Sequence, residues 1–284
     1  MIGAIEIGEA FFAACRDEIE APKPGNVHIF SAGHGMTVDD FLASAKVAEG
    51  PLSAPAASVG ARILGAVEAT RAAVGTNTNL GILLLCGPLA AAAERGGTDL
   101  RAELGLVLKA LDRRDAEQVF RAISLANPGG LGDVPRHDVR KPAEIGLYEA
   151  MAEAAERDAV ALQYVSNFHD IFVTGWEALA AAHECGLKPP WPAVAVYLSF
   201  LAAFPDTHIR RKYGLAAARG IQREASEMLS VFQARKEDCL AGLLGFDRSL
   251  KARGLNPGTS ADLTVATLFA DRLRSILLKH RNDA

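Results

Sequence analysis

Apolar residues recur through this chain at helical spacing, and this periodicity restricts the fold more than any other feature of the sequence. In residues 143–155, for example, Ile145, Leu147 and Met151 fall largely on one helical face, and glutamates occupy the other. Alternating β-branched stretches, which are typical of strands, are nearly absent. The sequence therefore predicts an all-α fold of about a dozen helices, organised as a single compact domain over residues 1–284.

Composition and charge exclude several classes of protein. The chain has 284 residues, of which 50% are hydrophobic and 23% charged, as in globular proteins with a large core. Its net charge of −4 argues against general nucleic-acid binding, and no apolar run approaches the ~18 residues of a membrane span. The four cysteines lack metal-ligand or redox spacing. These features predict a cytoplasmic protein with neither nucleic-acid nor membrane partners, and a homodimer is left open.

The segment Gly75–Leu89 joins a polar front half to an uncharged apolar run. Asn77, Thr78 and Asn79 are residue types that cap helices by accepting hydrogen bonds from free backbone N–H groups. A buried helix that starts here would direct its positive dipole end at whatever lies in front of Asn77, an arrangement that suits phosphate. The alternative is an ordinary capped core helix without a ligand.

Two prolines and a glycine make a rigid turn of residues 21–27, called the lysine turn below, after a predicted helix over 5–20. Such a turn can hold the side chain of Lys23 toward an anion. The alternative is a loop lysine exposed to solvent. A second loop, 126–134, contains three glycines and is predicted to be flexible or to cover substrate.

Charged residues interrupt a predicted helix of small residues that runs from Ser53 to Val74. Arg62 and Glu68 lie in a mainly apolar context, where a charge needs a partner, a metal ion or water. Because Glu68 leads directly into the Gly75–Leu89 segment, it is a candidate for the same site. The alternative is a solvated residue at the edge of the helix.

The densest polar segment is 204–214, which holds an acid, a hydroxyl group, an imidazole and three cations in succession. Asp206 can bind Mg²⁺, which prefers oxygen ligands and retains waters and substrate phosphates. Arg211 and Lys212 suit polyphosphate oxygens, the first through its forked guanidinium and the second as a point charge. The alternative is a helix that begins with Asp206 and carries solvated basic residues.

A turn with small hydroxyl residues, 254–263, precedes the C-terminal helix. Thr259 or Ser260 is predicted to be the N-cap of that helix, and Asp262 complements its positive end. Like the Gly75–Leu89 segment, it is a turn with small polar residues followed by a predicted buried helix. The two helix starts, the lysine turn and the basic segment can therefore converge on one polyphosphate–Mg²⁺ site.

Four motifs occur in the order seen in triphosphoribosyl-dephospho-CoA synthases, a family that includes the citrate lyase and malonate decarboxylase prosthetic-group enzymes. They are Lys23-Pro24-Gly25, Asn77-Thr78, Asp206-Thr207 followed by Arg211, and Pro257-Gly258-x-Ser260-Ala261-Asp262-Leu263. The resemblance spans essentially the whole chain. It implies an all-helical transferase that uses ATP and Mg²⁺. In the family reaction the 2′-hydroxyl of dephospho-CoA attacks the ribose C1′ of ATP, adenine leaves, and the triphosphate stays on the transferred ribose.

The resemblance also implies roles for residues of this chain. Asp206 and Asp262 would act on Mg²⁺ or on the nucleophile, and Glu68 is the third candidate catalytic carboxylate. A carboxylate at the reacting carbon can stabilise oxocarbenium character or activate the hydroxyl. The residues that would hold phosphates or line the pocket are Lys23, Gly25, Asn77, Thr78, Asn79, Thr207, Arg211, Lys212, Gly258 and Ser260.

The chain departs from the family pattern at one point. The well-studied family members continue Asn-Thr with His-Lys-Gly, whereas this chain has Asn79, Leu80 and Gly81. A cation beside polyphosphate contributes on the order of 1.5–3 kcal/mol when it donates a hydrogen bond. Its loss leaves two alternatives open. One is a diverged branch found in methanogens and methylotrophic bacteria, which is resembled by residues 23–27, 78–81 and 127–132 and which implies action on a C1-carrier precursor of the methanopterin type. The other is a non-catalytic nucleotide-binding protein.

Overall fold

The computed structural model describes residues 2–129 and 137–282. α-Helices account for most of these residues, which contain no β-strand and only two isolated bridges, between His28 and Ser31 and between Gly33 and Met36. The all-α prediction is therefore confirmed. The helices are α1 (Ala4–Glu20), α2 (Val38–Leu52), α3 (Val59–Val74), α4 (Leu80–Glu94), α5 (Leu100–Lys109), α6 (Arg113–Ala126), α7 (Leu147–Ala154), α8 (Ala159–Ser166), α9 (Trp176–Glu184), α10 (Trp191–Ala203), α11 (Thr207–Arg235), α12 (Leu240–Ala252) and α13 (Gly258–Asn282).

The chain divides into two compact units, and each is described by itself. The first unit contains residues 2–14, 42–129, 137–168 and 268–282, and in it α3 packs on α4 and α6. The second contains Cys15–Phe41 and His169–Thr267, and in it α10 packs on α9 and α11. The prediction of a single domain stays a prediction.

Each unit contains one helix that is apolar on nearly every side. In α4, most side chains between Leu80 and Ala93 are buried, and in α10 most of those between Pro192 and Leu201 are buried. A helix without a polar face must be surrounded by other elements. These two helices therefore anchor the polar segments next to them, which are residues 77–79 before α4 and residues 204–206 after α10.

The predicted helix from Ser53 begins later than expected, at Val59. Pro51 does not interrupt the preceding helix but lies in the last turn of α2, which continues to Leu52. The cap of α3 is Ser58, whose hydroxyl oxygen accepts a hydrogen bond from the backbone of Ala61 at 3.3 Å. A serine five residues further along therefore provides the N-cap.

The apolar pattern of residues 143–155 gives a shorter helix than it suggests. α7 begins only at Leu147, since Gly146 before it is extended at φ −69°, ψ 164°. The next helix, α8, ends at Ser166, because Asn167 and Phe168 have positive φ angles of 51° and 55°. Asparagine is a frequent residue at such a helix end. Most of the predicted 126–134 loop lies outside the described residues.

Candidate functional site

Lys23 is fully buried and forms an ion pair with Glu18, which is also buried. Burial lowers the pKa of Lys23, because removing an ammonium ion from water is unfavourable, and the charges of Glu18 and Asp262 oppose that shift. The interpretation of Lys23 as a solvated loop lysine is therefore wrong. The effect of Asp262 also shows that this carboxylate lies close enough to Lys23 to act on it electrostatically.

Hydrogen bonds and a close backbone approach hold the lysine turn in place. The backbone N–H of Gly25 donates to Asp247 Oδ1 at 2.8 Å, and the Tyr197 hydroxyl donates to the carbonyl oxygen of Pro24 at 2.6 Å. Gly25 has a φ of +84°, and a Cβ atom added to it would lie 2.8 Å from Pro257 Cδ. Glycine meets both requirements because it has no side chain.

Asp247 is the central acceptor of a buried group beside the lysine turn. Lys251 Nζ lies 2.9 Å from Asp247 Oδ1 and donates to the Ser31 carbonyl oxygen at 3.1 Å, while His28 Nε2 lies 3.4 Å from Asp247 Oδ1. Burial acts to raise the pKa of Asp247, but the contact with His28 and the hydrogen bonds from Lys251 and Gly25 outweigh it and lower the pKa. The ionised carboxylate therefore ties α12 to the lysine turn.

Asp206 joins the starts of two helices. Its Oδ1 accepts hydrogen bonds from the backbone N–H groups of His208 and Ile209 at 2.9 and 3.1 Å, and it is thus the N-cap of α11. Its Oδ2 accepts from the backbone N–H and the hydroxyl of Ser260, both at 2.8 Å, in the first turn of α13. Complete burial raises the pKa of Asp206, although these four hydrogen bonds favour its ionised form.

A side chain of α13 also contacts the start of α11. Thr259 Oγ1, in α13, accepts from the backbone N–H of His208 at 3.1 Å and lies 3.0 Å from Thr207 Oγ1. The prediction that Thr259 or Ser260 is the N-cap of the C-terminal helix is wrong, because α13 already begins at Gly258; Thr259 instead caps α11. Two positive dipole ends therefore meet at one place, which we call the α11–α13 junction. The Asp206 carboxylate supplies one negative charge there.

The imidazole of His208 is held against the backbone of α13. A Cβ atom added to Gly258 would lie 2.6 Å from His208 Nδ1, so the ring occupies the space that any larger residue at position 258 would need. Burial lowers the pKa of His208 to about 3, and the nearby cations of Arg211 and Lys212 add to the shift. The ring is therefore neutral at physiological pH.

Arg211 and Lys212 are exposed on the first turns of α11. The helix is interrupted just beyond them at Gly214, which has φ 85° and ψ 167°. The Tyr213 hydroxyl donates to the Gly254 carbonyl oxygen at 2.9 Å and so links this short segment to the turn before α13. The two exposed cations thus lie next to the α11–α13 junction.

In the first unit, the polar residues before α4 form hydrogen bonds within the protein. Asn77 Oδ1 accepts from the Leu80 backbone N–H at 3.2 Å, although the N-cap residue of α4 is Asn79, whose side chain makes no capping hydrogen bond. The Thr78 hydroxyl donates to Ser44 Oγ at 2.7 Å, and Asn79 Nδ2 donates to Thr70 Oγ1 at 3.1 Å. Asn79 and Leu80, which replace the family's His-Lys pair, are both buried.

The two charged residues of α3 have protein partners. Arg62 is buried, donates to the Leu52 carbonyl oxygen at 2.8 Å and forms an ion pair with Glu94. Glu68 pairs with Arg121 at 2.8 Å, and both side chains are exposed. The need for a partner at Arg62 is confirmed. The position of Glu68 agrees with the alternative of a solvated residue at the helix edge.

Most of the predicted site residues lie together in the second unit. These are Lys23, Gly25, Asp206, Thr207, Arg211, Lys212, Gly258, Ser260 and Asp262. The others belong to the first unit, namely Glu68, Asn77, Thr78 and Asn79.

Three residues that hold the site were missed by sequence reasoning: Glu18, Tyr197 and Asp247. A signal exists for Asp247, which shares the buried face of α12 with Leu243 and Leu250. An acid in an apolar stripe indicates a buried partner.

Two features are absent from the residues that the structure describes, a cluster of metal ligands and a membrane-spanning helix. Within residues 2–129 and 137–282, histidine, cysteine and carboxylate side chains form no group of three or more that could hold a metal ion. None of the helices in this described part is long and apolar enough to cross a membrane.

Comparison with known proteins identifies the family. The sequence model of the CitG family, described as ATP:dephospho-CoA triphosphoribosyl transferase, matches residues 4–280. The chain belongs to this family. The CitG-family match contains every residue predicted for the site, and it confirms the resemblance and the assignment to a class of transferases.

A solved structure supports the CitG-family assignment. The crystal structure of a candidate triphosphoribosyl-dephospho-CoA synthase from Archaeoglobus fulgidus is similar, with a TM-score of 0.63 and 29% sequence identity. The similarity covers 81% of this chain and 96% of that chain. The helical architecture described above is thus shared with a protein named for the same reaction.

Proposed function

We propose that this protein transfers the triphosphoribosyl group of ATP to dephospho-CoA and releases adenine. The observation that carries the proposal is the family match over residues 4–280. In the reaction, the acceptor 2′-hydroxyl oxygen forms a bond to C1′ of the ATP ribose, and the bond from C1′ to the adenine nitrogen breaks. The hydroxyl proton is released and adenine takes up a proton, so charge and atoms balance. The triphosphate remains intact, and residues 4–280 are proposed to work as one enzyme.

The α11–α13 junction supplies a suitable place for the triphosphate. The first N–H groups of both helices are already bonded to Asp206 and Thr259, so the exposed side chains of Arg211 and Lys212 supply the positive charge there. A forked guanidinium and an ammonium ion are complementary to phosphate oxygens. Anchoring the triphosphate in this way leaves C1′ of the ribose as the reacting centre, with its position fixed by the bound end of the molecule.

Mg²⁺ enters the proposal as part of the substrate, bound to the triphosphate. This ion usually keeps several waters and binds through substrate phosphates plus one or two carboxylates. A site without a three-ligand protein cluster in its described residues is compatible with that mode. We assign Asp262, which is half-buried, to this ion or to the nucleophile.

Asp206 and Lys23 are proposed to position other groups. The two oxygens of Asp206 already accept four hydrogen bonds, so a metal ion would have to displace them. The ammonium of Lys23 is buried against Glu18 and acts electrostatically on Asp262. Direct metal or phosphate contacts of Asp206 and Lys23, and a catalytic role of Glu68, stay predictions from the sequence.

A second candidate acceptor is favoured by one observation in the first unit. Asn79 and Leu80 replace a histidine and a lysine of the family pattern, and their side chains are buried. Neither residue therefore offers a positive charge to a phosphate of the acceptor. A cofactor precursor of another type, such as the C1-carrier precursor implied by the diverged branch, would fit this loss of charge.

Release of free adenine tests the proposal. The purified protein is incubated with Mg·ATP and either dephospho-CoA or pterin precursors, and adenine is quantified by chromatography. We expect adenine only when the correct acceptor is present. The Arg211→Ala variant should lose about tenfold or more in rate. Arg219→Ala, which changes an exposed arginine further along α11, is the control. ATP binding without adenine release under any condition would support the non-catalytic alternative.

A further inference from the structure

One oxygen atom of Asp247 receives three groups from other parts of the chain. Its Oδ1 accepts the backbone N–H of Gly25 at 2.8 Å, and it lies 2.9 Å from Lys251 Nζ and 3.4 Å from His28 Nε2. The residue is only 2% exposed, so these contacts are made away from solvent. Burying a carboxylate is unfavourable unless such partners surround it. The placement of Asp247 is therefore tied to that of the lysine turn, 222 residues away in the sequence.

Gly25 is the residue through which the lysine turn is held. Its φ of +84° is accessible to glycine, but glycine by itself does not fix the backbone in one conformation. Its carbonyl oxygen lies 2.9 Å from His34 Nε2, and its N–H donates to Asp247. His34 is exposed, whereas Asp247 is buried. Because hydrogen bonds to ionised acceptors are about twice as strong as neutral ones, Asp247 is the stronger restraint.

The lysine turn carries a charge that acts on the proposed site. Lys23 lies two residues before Gly25, is buried against Glu18 and interacts electrostatically with Asp262. Asp262 is the half-buried carboxylate that we assign to Mg²⁺ or to the nucleophile. The interaction of two charges depends on their separation and is strengthened by burial. A shift of the lysine turn would therefore change the electrostatic environment of Asp262.

We propose that Asp247 is a positioning residue for triphosphoribosyl transfer, which fixes Gly25 and thereby holds the ammonium of Lys23 at its distance from Asp262. The proposal rests on the proposed function, in which Asp262 acts on Mg·ATP or on the nucleophile. Asp247 acts through the lysine turn and not through a contact with substrate. A displacement of about 1 Å in a positioning group can lower a rate by about 100-fold. The role therefore predicts a loss of activity that is separate from any loss of stability.

Three variants of the full-length protein separate positioning from stability. Asp247→Asn keeps an oxygen that can accept from Gly25, whereas Asp247→Leu keeps none. Asp247→Leu also leaves the ammonium of Lys251 without its counter-charge. The double variant Asp247→Leu, Lys251→Met removes that charge as well, and replacing a buried ion pair with apolar side chains often leaves stability unchanged or improves it.

Adenine release gives kcat/KM for ATP, and urea unfolding gives stability. We expect Asp247→Leu to lower kcat/KM about tenfold or more and to unfold at lower urea concentration. The double variant should regain most of the stability but not the activity, and Asp247→Asn should stay within about threefold of the wild-type kcat/KM. Leu243→Ala removes a buried side chain from the same helix, α12, and is the control. It should lose stability and keep kcat/KM.

Hydrogen exchange at the Gly25 amide reports on the contact without relying on activity. The amide should exchange slowly in the wild type and in Asp247→Asn, and faster in Asp247→Leu and in the double variant. Equal exchange in all four proteins would overturn the proposal, because Gly25 would then be held without Asp247.

The same measurements separate this inference from the proposed function. If the wild type releases adenine and the double variant regains activity together with stability, the positioning role fails and the transferase stands. Equal losses of kcat/KM in Asp247→Asn and Asp247→Leu would also overturn the role, since the acceptor oxygen would not then decide activity. If the wild type releases no adenine with any acceptor, the transferase is refuted, and the positioning role falls with it.

Discussion

Asp206 and Ser260, which are 54 residues apart in the chain, are joined by two hydrogen bonds of 2.8 Å. The same carboxylate caps α11 through the backbone N–H groups of His208 and Ile209. One buried side chain therefore sets the positions of two helix starts. The imidazole of His208 and the backbone of Gly258, which meet at the α11–α13 junction, depend on it for their placement.

Replacing Asp206 with asparagine should destabilise the protein. Asparagine keeps one acceptor oxygen but presents an NH₂ group, so the N–H donors of one helix lose their partner. We expect the free energy of unfolding to fall by on the order of 3 kcal/mol. Urea unfolding followed by circular dichroism measures this. Ser260→Ala removes only the hydroxyl donor and should cost about 1 kcal/mol; equal losses in the two variants would contradict the double cap.

The buried pair of Lys23 and Glu18 should be much more sensitive to loss of one partner than to loss of both. Lys23→Met leaves the carboxylate buried without a counter-charge, and a loss of about 3–5 kcal/mol in unfolding free energy is expected. In the double variant Lys23→Met, Glu18→Leu no charge remains buried. Most of the lost stability should therefore return, and additive losses would show that the two side chains do not interact.

Gly25 should not tolerate a side chain. In Gly25→Ala the new Cβ would lie 2.8 Å from Pro257 Cδ, and the residue would keep a φ of +84°. We expect a fall in melting temperature together with weaker ATP binding, because the lysine turn must move. Gly35→Ala is the control, since Gly35 has a φ of +75° but a Cβ there meets no heavy atom of the described residues within 4 Å. Its loss should be limited to backbone strain of about 1 kcal/mol; equal effects would refute the steric explanation.

His208 should make stability depend on pH. Burial, and then the charges of Arg211 and Lys212, hold its pKa at about 3 in the folded protein, against 6.5 for an ordinary histidine. Between these values the unfolded chain binds a proton that the folded protein does not, so stability falls as the pH is lowered from 6.5. His208→Gln should show a shallower fall between about pH 6.5 and 4.5 in urea titrations. Parallel curves for the two proteins would argue against a neutral buried ring.

Features that arise from local pattern could be predicted from the sequence. The helical class follows from the spacing of apolar residues, and the hydrogen bond that Asn77 accepts from the first turn of α4 agrees with its residue type, since both depend on neighbours within a few positions. The Asp206-Thr207 segment was also identified as polar and unusual from its composition. In each case the structure agrees with a short-range argument.

Features that arise from contacts between distant segments could not be predicted in the same way. Thr259 was expected to serve its own helix, but it caps α11 because the fold brings the two helix starts together. Local sequence leaves a solvated Lys23 as an alternative, whereas the burial of this residue depends on Glu18 and on the packing of its turn. Helix ends were also displaced, as at α3, where a later serine provides the cap. Tertiary packing, rather than local preference, decides which helix a residue caps, where a helix begins and whether a lysine is buried.

The most direct test of the account is the stoichiometry of the reaction with Mg·ATP and dephospho-CoA. Adenine is quantified by chromatography, and the acceptor product is identified by mass spectrometry. The account predicts one adenine released for each acceptor molecule that gains a ribose with all three phosphates attached. Release of ADP or pyrophosphate, or an acceptor product that lacks the triphosphate, would contradict transfer through C1′ of the ATP ribose.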